Sequence, residues 1–544
     1  MPGFLQTALT DGYYFTDSQR NDTLLRVDND TNLLIGTGSN VVSSIRITSN
    51  ETVINNMFLE NVEIGDSPIL VTRSNQPFIT RLGILYELEV EKGTILREDL
   101  SVGNSLIVSN LATFGSNVTV HCNLDVIGST TASQDLSVGN SLIVSNLATF
   151  DSNVTVHCNL DVIGSTTARD DLSVGNSLIV SNLATFDSNV TVHCNLDVIG
   201  STTVSQDLSV GNNLNVSNLA TFDSNVSVHC NLDVLGCITV SQDLSVGNNL
   251  NVSNLATFDS NVAVHCNLDV LGRTILSEDL SVGNSLIVSN LATFGSNVTV
   301  HCNLDVVGCT ILSEDLSVGN NLNVSNLATF SSNVTVHCNL DVLGSTILSQ
   351  DLSVGNSLLV SNLATFGSNV IVHCNLDVLG STILSEDLSV GNSLLVSNLA
   401  TFGSNVTVHC NLDVLGSTIL SEDLSVGNSL LVSNLATFSS NVTVHCNLDV
   451  LGSITVSQDL SVGNNLNVSN LATFGSNVTV HCNLDVLGST ILSEDLSVGN
   501  SLLVSNLATF GSNVTVHCNL DVLGSTILSE DLSVGNSLIV SNLA

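Results

Sequence analysis

DLSVGNSLIVSNLATFGSNVTVHCNLDVIGSTTASQ, residues 99–134, decides the fold. Twelve near-identical copies of this 36-residue unit run from Asp99 onward, and a truncated thirteenth reaches Ala544. Self-similarity at a fixed period describes one structural element stacked many times, each copy burying its apolar side against its neighbours. Such an array supplies length, stiffness and a repeated surface in place of one compact core.

The unit divides into six hexapeptides: DLSVGN, SLIVSN, LATFGS, NVTVHC, NLDVIG and STTASQ. Their second and fourth positions are mainly apolar, and the third, between them on a short strand, is expected to point outward. Positions five and six are mostly Gly, Asn, Ser, His, Cys or Gln. They read as corners, with Gly and Asn tolerating left-handed backbone angles. Three hexapeptides make an 18-residue coil and two coils make the unit. DLSVGN then lies over NVTVHC, SLIVSN over NLDVIG and LATFGS over STTASQ. The expected fold is all-β: a parallel β-solenoid (β-helix) with 18-residue coils and a 36-residue double-coil repeat. The period suits either hand, and also three chains wound round one axis. Phe114 would sit beside Ala132 on the stack, and later units, such as STILSQ at Ser345–Gln350, put Leu in the small partner's place. Twenty-four coils about 4.8 Å apart span roughly 115 Å.

Composition supports this reading. Pro2, Pro68 and Pro77 are the only prolines, so the array has none, and Trp is absent. A chain 43% apolar is too hydrophobic for a solvated coil. No apolar run approaches the length of a membrane span, roughly 18 residues or more. MPGFLQTALTDGYYF lacks the basic start and apolar stretch of a secretory signal. The net charge is −40, and after residue 98 only Arg169 and Arg273 are basic, against 36 Asp and Glu. Nucleic acid is thereby excluded as a partner. Rods so charged should also repel one another at low salt.

Residues 1–43 are chemically distinct and read as a head that caps the stack or attaches it. Tyr13, Tyr14 and Phe15 lie there, and short strands are expected near Thr23–Val27 and Asn32–Ile35. Residues 44–98 read as an irregular start of the solenoid, with the hexads IRITSN, ETVINN, MFLENV and EIGDSP. Within them, Glu87–Glu98 matches the last two hexapeptides of the unit. Residues 99–544 are the regular array. Seven of the nine basic residues lie before position 98. The array stops in mid-unit, so either a partner or sister chain is expected over its last coil, or Ala544 is not the natural terminus.

His121 and Cys122 recur as a pair every 36 residues, up to His517 and Cys518. Zinc needs about four ligands at one point, and successive pairs lie two coils, roughly 10 Å, apart. One chain therefore cannot gather two pairs round one ion. The same distance argues against disulfides between successive units. Free thiols in a reducing compartment are the plain reading, also for Cys237 and Cys309, which fall outside the pattern; cross-links between chains are the alternative. A catalytic Cys–His couple does not fit neighbours on one strand, which point opposite ways. Asp99, Asp125 and their copies form acidic columns, read as a solvated face, with weak divalent-cation bridging as the alternative. Asn117-Val118-Thr119 matches the glycosylation triplet, and an ice-binding Thr face is disfavoured because Ile replaces Thr in many later units. No catalytic, cofactor or metal site is expected.

Units such as DLSVGNNLNVSNLATFDSNVSVHCNLDVLG, Asp207–Gly236, resemble the NLxVxG-type repeats of phage tail fibres and of long repeat proteins in large DNA viruses of protists and algae. The resemblance implies a non-enzymatic fibre or stalk, a virion surface appendage that spaces or attaches a particle, assembled in the host cytoplasm. It implies a homo-oligomer, with a trimer favoured, joined to a particle or base protein through the N-terminal region. Neither nucleic-acid binding nor membrane insertion is implied. The chain departs from these families in showing no receptor-binding or chaperone domain. A cytoskeletal or cell-surface β-helical filament or adhesin, similar to bactofilins, is the alternative. A β-helix enzyme such as an acyltransferase is the least fitting, since those enzymes usually carry loop insertions that shape a pocket.

Overall fold

The computed structural model describes residues 88–91 and 94–542, together with the backbone of five short strands nearer the N-terminus. The chain divides into two compact units, Met1–Leu82 and Gly83–Ala544.

The second unit is built from three-residue strands that recur every six residues. Leu100–Val102, Leu106–Val108 and Ala112–Phe114 form the three sides of one coil. The next coil lies directly on it. Val118 stands opposite Leu100 and Val120 opposite Val102, Leu124 opposite Leu106, and Phe114 opposite Ala132. All these pairings are parallel, and the 18-residue step holds from Leu88↔Leu106 to Val516↔Val534. Only the last described coils deviate, where Asn519–Leu528 is one long strand and the register shifts between Val522 and Ser525. The second unit is thus an all-parallel β-solenoid wound from a single chain. The three-chain alternative gives way, because each strand finds its partners in the preceding and following coils of the same chain, as Val118–Val120 does in Leu100–Val102 and Leu136–Val138.

An apolar–polar–apolar triplet has only one way to sit on such a wall. Leu100 and Val102 point inward and are buried, while Ser101 points out. Corner peptides are also tied to the neighbouring coil: Leu100 N–H donates to Asn117 O at 2.9 Å and His121 N–H to Val102 O at 3.0 Å. The backbone polar groups of the bends are thereby satisfied without loops.

The corner glycines work differently from the sequence expectation. None of the described ones takes a left-handed φ. A Cβ on Gly139 would instead lie 2.1 Å from the carbonyl oxygen of His121 in the coil below, and one on Gly128 would lie 2.0 Å from that of Asn110. Close approach of stacked backbones, not backbone handedness, demands glycine.

The third side carries the bulk. Phe114, Phe150 and their ten copies are fully buried, each over a smaller residue: Ala132 above Phe114, Val240 above Phe222, Leu276 above Phe258. Large side chains alternate with smaller ones, which keeps the interior filled coil by coil.

In the first unit, Phe4–Thr7 pairs antiparallel with Thr23–Arg26. Leu33–Ile35, Ile45–Ile47 and Thr52–Ile54 form a three-stranded antiparallel sheet. The expected strands near 23 and 32 are present. The expected coil start near Ile45 is not: IRI and TVI are joined by only four residues, a hairpin length, whereas coil stacking needs partners a full coil apart. Among the described residues, parallel stacking begins at Leu88. Tyr13–Tyr14–Phe15 and the hexads MFLENV and EIGDSP lie outside the described residues.

Candidate functional site

A three-sided coil has three edges, and the repeat gives each edge its own chemistry along the whole array.

The edge between the third and first sides is acidic. Asp351 accepts from Ser368 Oγ at 2.6 Å, from Asn369 N–H at 3.2 Å and from Asn369 Nδ2 at 3.2 Å. Asn369 Oδ1 in turn accepts from the backbone N–H of Asp387 at 3.3 Å. An Asp–Asn ladder results, one rung per coil. The Ser hydroxyl foremost, with the Asn donors, holds the carboxyls of Asp171, Asp207, Asp351 and Asp495 below their ordinary range. The small outward residues of the first side, such as Ser209, Ser227 and Ser245, leave an open groove of about 1100 Å³ beside this ladder. Arg169 makes the one ion pair among the described residues, to Asp151 at 2.5 Å. Asn117 of the glycosylation triplet belongs to the same ladder, its N–H donating to Asp99 Oδ1 at 3.2 Å.

The edge between the first and second sides carries the His–Cys pairs. They stand in the corner just past the strand Val118–Val120 rather than on it. The ring Nδ1 of His121 lies 3.0 Å from Val102 O; a carbonyl only accepts, so Nδ1 carries the proton and Nε2 is left outward. Cys122 is half-buried and unpaired, as are the other thirteen described cysteines. Asn side chains continue the ladder theme, Asn140 Nδ2 donating to Asn123 Oδ1 at 2.8 Å. Among the described residues, no three His, Cys, Asp or Glu groups converge to hold a metal ion.

The edge between the second and third sides is apolar, and the sequence reading had not singled it out. Leu111 is 42% exposed and Ile127, in the next coil, 61%. The pattern continues through Leu147 and Ile163 to Leu487 and Leu523. Among the described residues, twelve Leu111-type and twelve Ile127-type positions give 24 aliphatic residues along this edge. Between Leu111 and Leu523, Arg273 is the one charge set into it, Glu91 standing at the same corner in the first described coil, and Cys237 and Cys309 stand on it at the position of Ser129.

Beside it, the outward column of the second side is not a uniformly solvated face. Asp125 lies between Ile107 and Ile143, and its Oδ1 is buried without a hydrogen-bond partner. Burial raises the carboxyls of Asp125, Asp161, Asp377 and Asp413 above their ordinary value. Where the following coil presents Asn, a donor arrives: Asn215 Nδ2 reaches Asp197 Oδ1 at 2.5 Å. The two acidic columns thus differ in kind, one hydrogen-bonded and one pressed between aliphatics.

Comparison with known proteins returns no matching family model, curated relative or solved structure. Among the described residues, no helix is long and apolar enough to cross a membrane.

Proposed function

We propose that the chain is a non-enzymatic structural stalk, an oligomer of which three copies form one appendage on the surface of a virus particle assembled in the host cytoplasm. The observation that carries the structural role is the 18-residue step. From Leu88↔Leu106 to Val516↔Val534 the strands find partners at that distance, the register shifting only in the last long strand. No coil there carries an inserted loop to shape a pocket, and the surface features recur along the array apart from a few single substitutions such as Arg169, Arg273, Cys237 and Cys309. A repeated wall transmits length and force, whereas a reaction centre needs one place unlike the rest. The virion assignment is supported by the fibre resemblance of the repeat. The N-terminal region, Met1–Leu82, is the proposed attachment to a particle or base protein.

Immunogold labelling of purified particles tests the assignment. Label along thin appendages is the expected outcome. Label confined to host cytosol, or turnover of an acyl donor by the purified chain, would overturn it. Sedimentation equilibrium tests the copy number. A mass near three times 56.8 kDa is expected, and a monomer unchanged by salt or calcium would overturn self-association.

A further inference from the structure

We propose that copies of this chain lie side by side, pointing the same way and in register, joined along the apolar edge between the second and third sides. The inference rests on the reading that copies associate, and it names the surface they use. Four features support it.

The first is extent. Soluble chains seldom expose so many large aliphatic side chains along one edge. The 24 aliphatic positions here match the roughly 20–30 residues that each partner gives to a standard protein interface.

The second is period. The edge repeats every 36 residues, about 9.6 Å at two coils per unit. A partner can match it along its length only by having the same spacing, and another copy of this chain has it.

The third is charge. With a net charge of −40, contact through the Asp–Asn ladder would bring carboxylates together. Of the two corners formed without that ladder, the His–Cys edge presents polar His and Asn side chains and this one aliphatic ones, so contact here buries apolar surface and leaves the Asp–Asn ladders facing outward.

The fourth is direction. Rotation about an axis parallel to the rods sets the second side of one copy beside the third side of the next. The Asp125-type carboxylates then face the uncharged outward column of the third side, Thr131 in the coil of Asp125 and Ile383 in that of Asp377. Rotation about a perpendicular axis would set second side against second side and Asp column against Asp column. The same-way arrangement avoids that repulsion, and it allows a two-fold or a three-fold bundle.

The array supplies its own test substitution. Ser109 and Ser129 occupy, in alternate coils, the positions of Ile127 and Leu111, so this corner accepts Ser. The full chain and a variant with Leu327, Leu343, Leu363, Leu379, Leu399 and Leu415 changed to Ser are compared by sedimentation. The variant is expected to keep its β spectrum and to dissociate at a concentration at least tenfold higher. A wild-type monomer overturns the association itself. A wild-type oligomer matched by an equally tight, folded variant overturns only the edge.

Should the variant not fold, the cysteines already present on this edge still decide. Cys237 and Cys309 are half-buried on this edge, and an in-register bundle brings each opposite its own copy. Mild copper–phenanthroline oxidation followed by peptide mapping is expected to give Cys237–Cys237 and Cys309–Cys309 links between chains. These should be lost in a Cys237→Ser/Cys309→Ser variant, Ser being the residue at this position in most units. Links solely among the Cys122-type residues, or Cys237 joined to Cys309, would overturn the edge or the register respectively.

Discussion

Single positions in this wall are constrained by the coils stacked above and below more than by their chain neighbours. Thr382 shows it. Its side chain is buried, and its Oγ1 lacks a hydrogen-bond partner. Two units place Ile238 and Ile454 at the same point, so the wall has no need of the hydroxyl. Replacing Thr382 with Val is expected to stabilise its coil by about 1 kcal/mol, the scale of an unsatisfied buried polar group. Slower amide exchange in the strand Thr382–Leu384 would register the gain; faster exchange would contradict it. Gly391 is the converse. A Cβ there would stand 2.0 Å from His373 O, and both atoms belong to stacked backbones that cannot swing aside. Gly391→Ala should cost about 1–3 kcal/mol, as overpacking does, with exchange accelerated on both sides of the contact. Phe330→Ala removes a fully buried ring and should cost about 3–5 kcal/mol.

At the scale of the column, two rows of Asp respond to acid in opposite ways. The Asp377 type, between Leu359 and Leu395, has a folded-state pKa raised by burial. The folded state then binds protons more readily than the unfolded state, so stability grows as pH falls through that raised value. The Asp351 type has a lowered pKa, chiefly through the Ser368 hydroxyl. Its contribution is present above the ordinary value of 3.8 and is lost as pH falls toward the folded one. Thermal melts by circular dichroism should therefore show the midpoint rising from pH 7 toward the raised values and falling below about 3.8. Asp341→Asn, Asp377→Asn and Asp413→Asn together should make the rising limb shallower and leave the falling one; Asn already stands in this column at Asn215 and Asn251. An unchanged rising limb would count against the buried column as its cause. The strands themselves were legible in the sequence, because Leu-Ser-Val and Leu-Asp-Val triplets carry period two and the hexapeptide fixes their spacing. The environment of Asp125 was less so. Its crowding comes from Ile107 and Ile143, which stacking sets beside it although each is a whole coil away along the chain. The apolar edge escaped for a related reason: Ile127 occupies a corner position filled elsewhere by Ser, Gly or His, and only stacking shows that such residues line up with Leu111 into one strip. Gly139 was recognised as a corner, but the clash that requires it involves a carbonyl of another coil.

For the whole molecule, the alternation of the two coil types sets how the chain can vary. Deleting residues 351–386 removes one complete unit and restores every contact across the junction. The rod should shorten by about 9.6 Å and melt as before. Deleting only residues 351–368 also closes a coil, but it sets His373 over His337 where Gly355 now stands, and the carbonyl of His337 lies too near for any Cβ at that corner. That shorter deletion should lower the melting midpoint and expose the junction to proteolysis, although it removes half as much. Equal stability of the two deletions would show that the coils are interchangeable. If they are not, length in this protein is quantised. Gain or loss of material between near-identical repeats yields a sound rod only in steps of two coils, so natural variants should differ by whole repeats of the Asp99–Gln134 type. Reach could then drift through a lineage in increments of about a nanometre while the surface chemistry of the rod stays fixed.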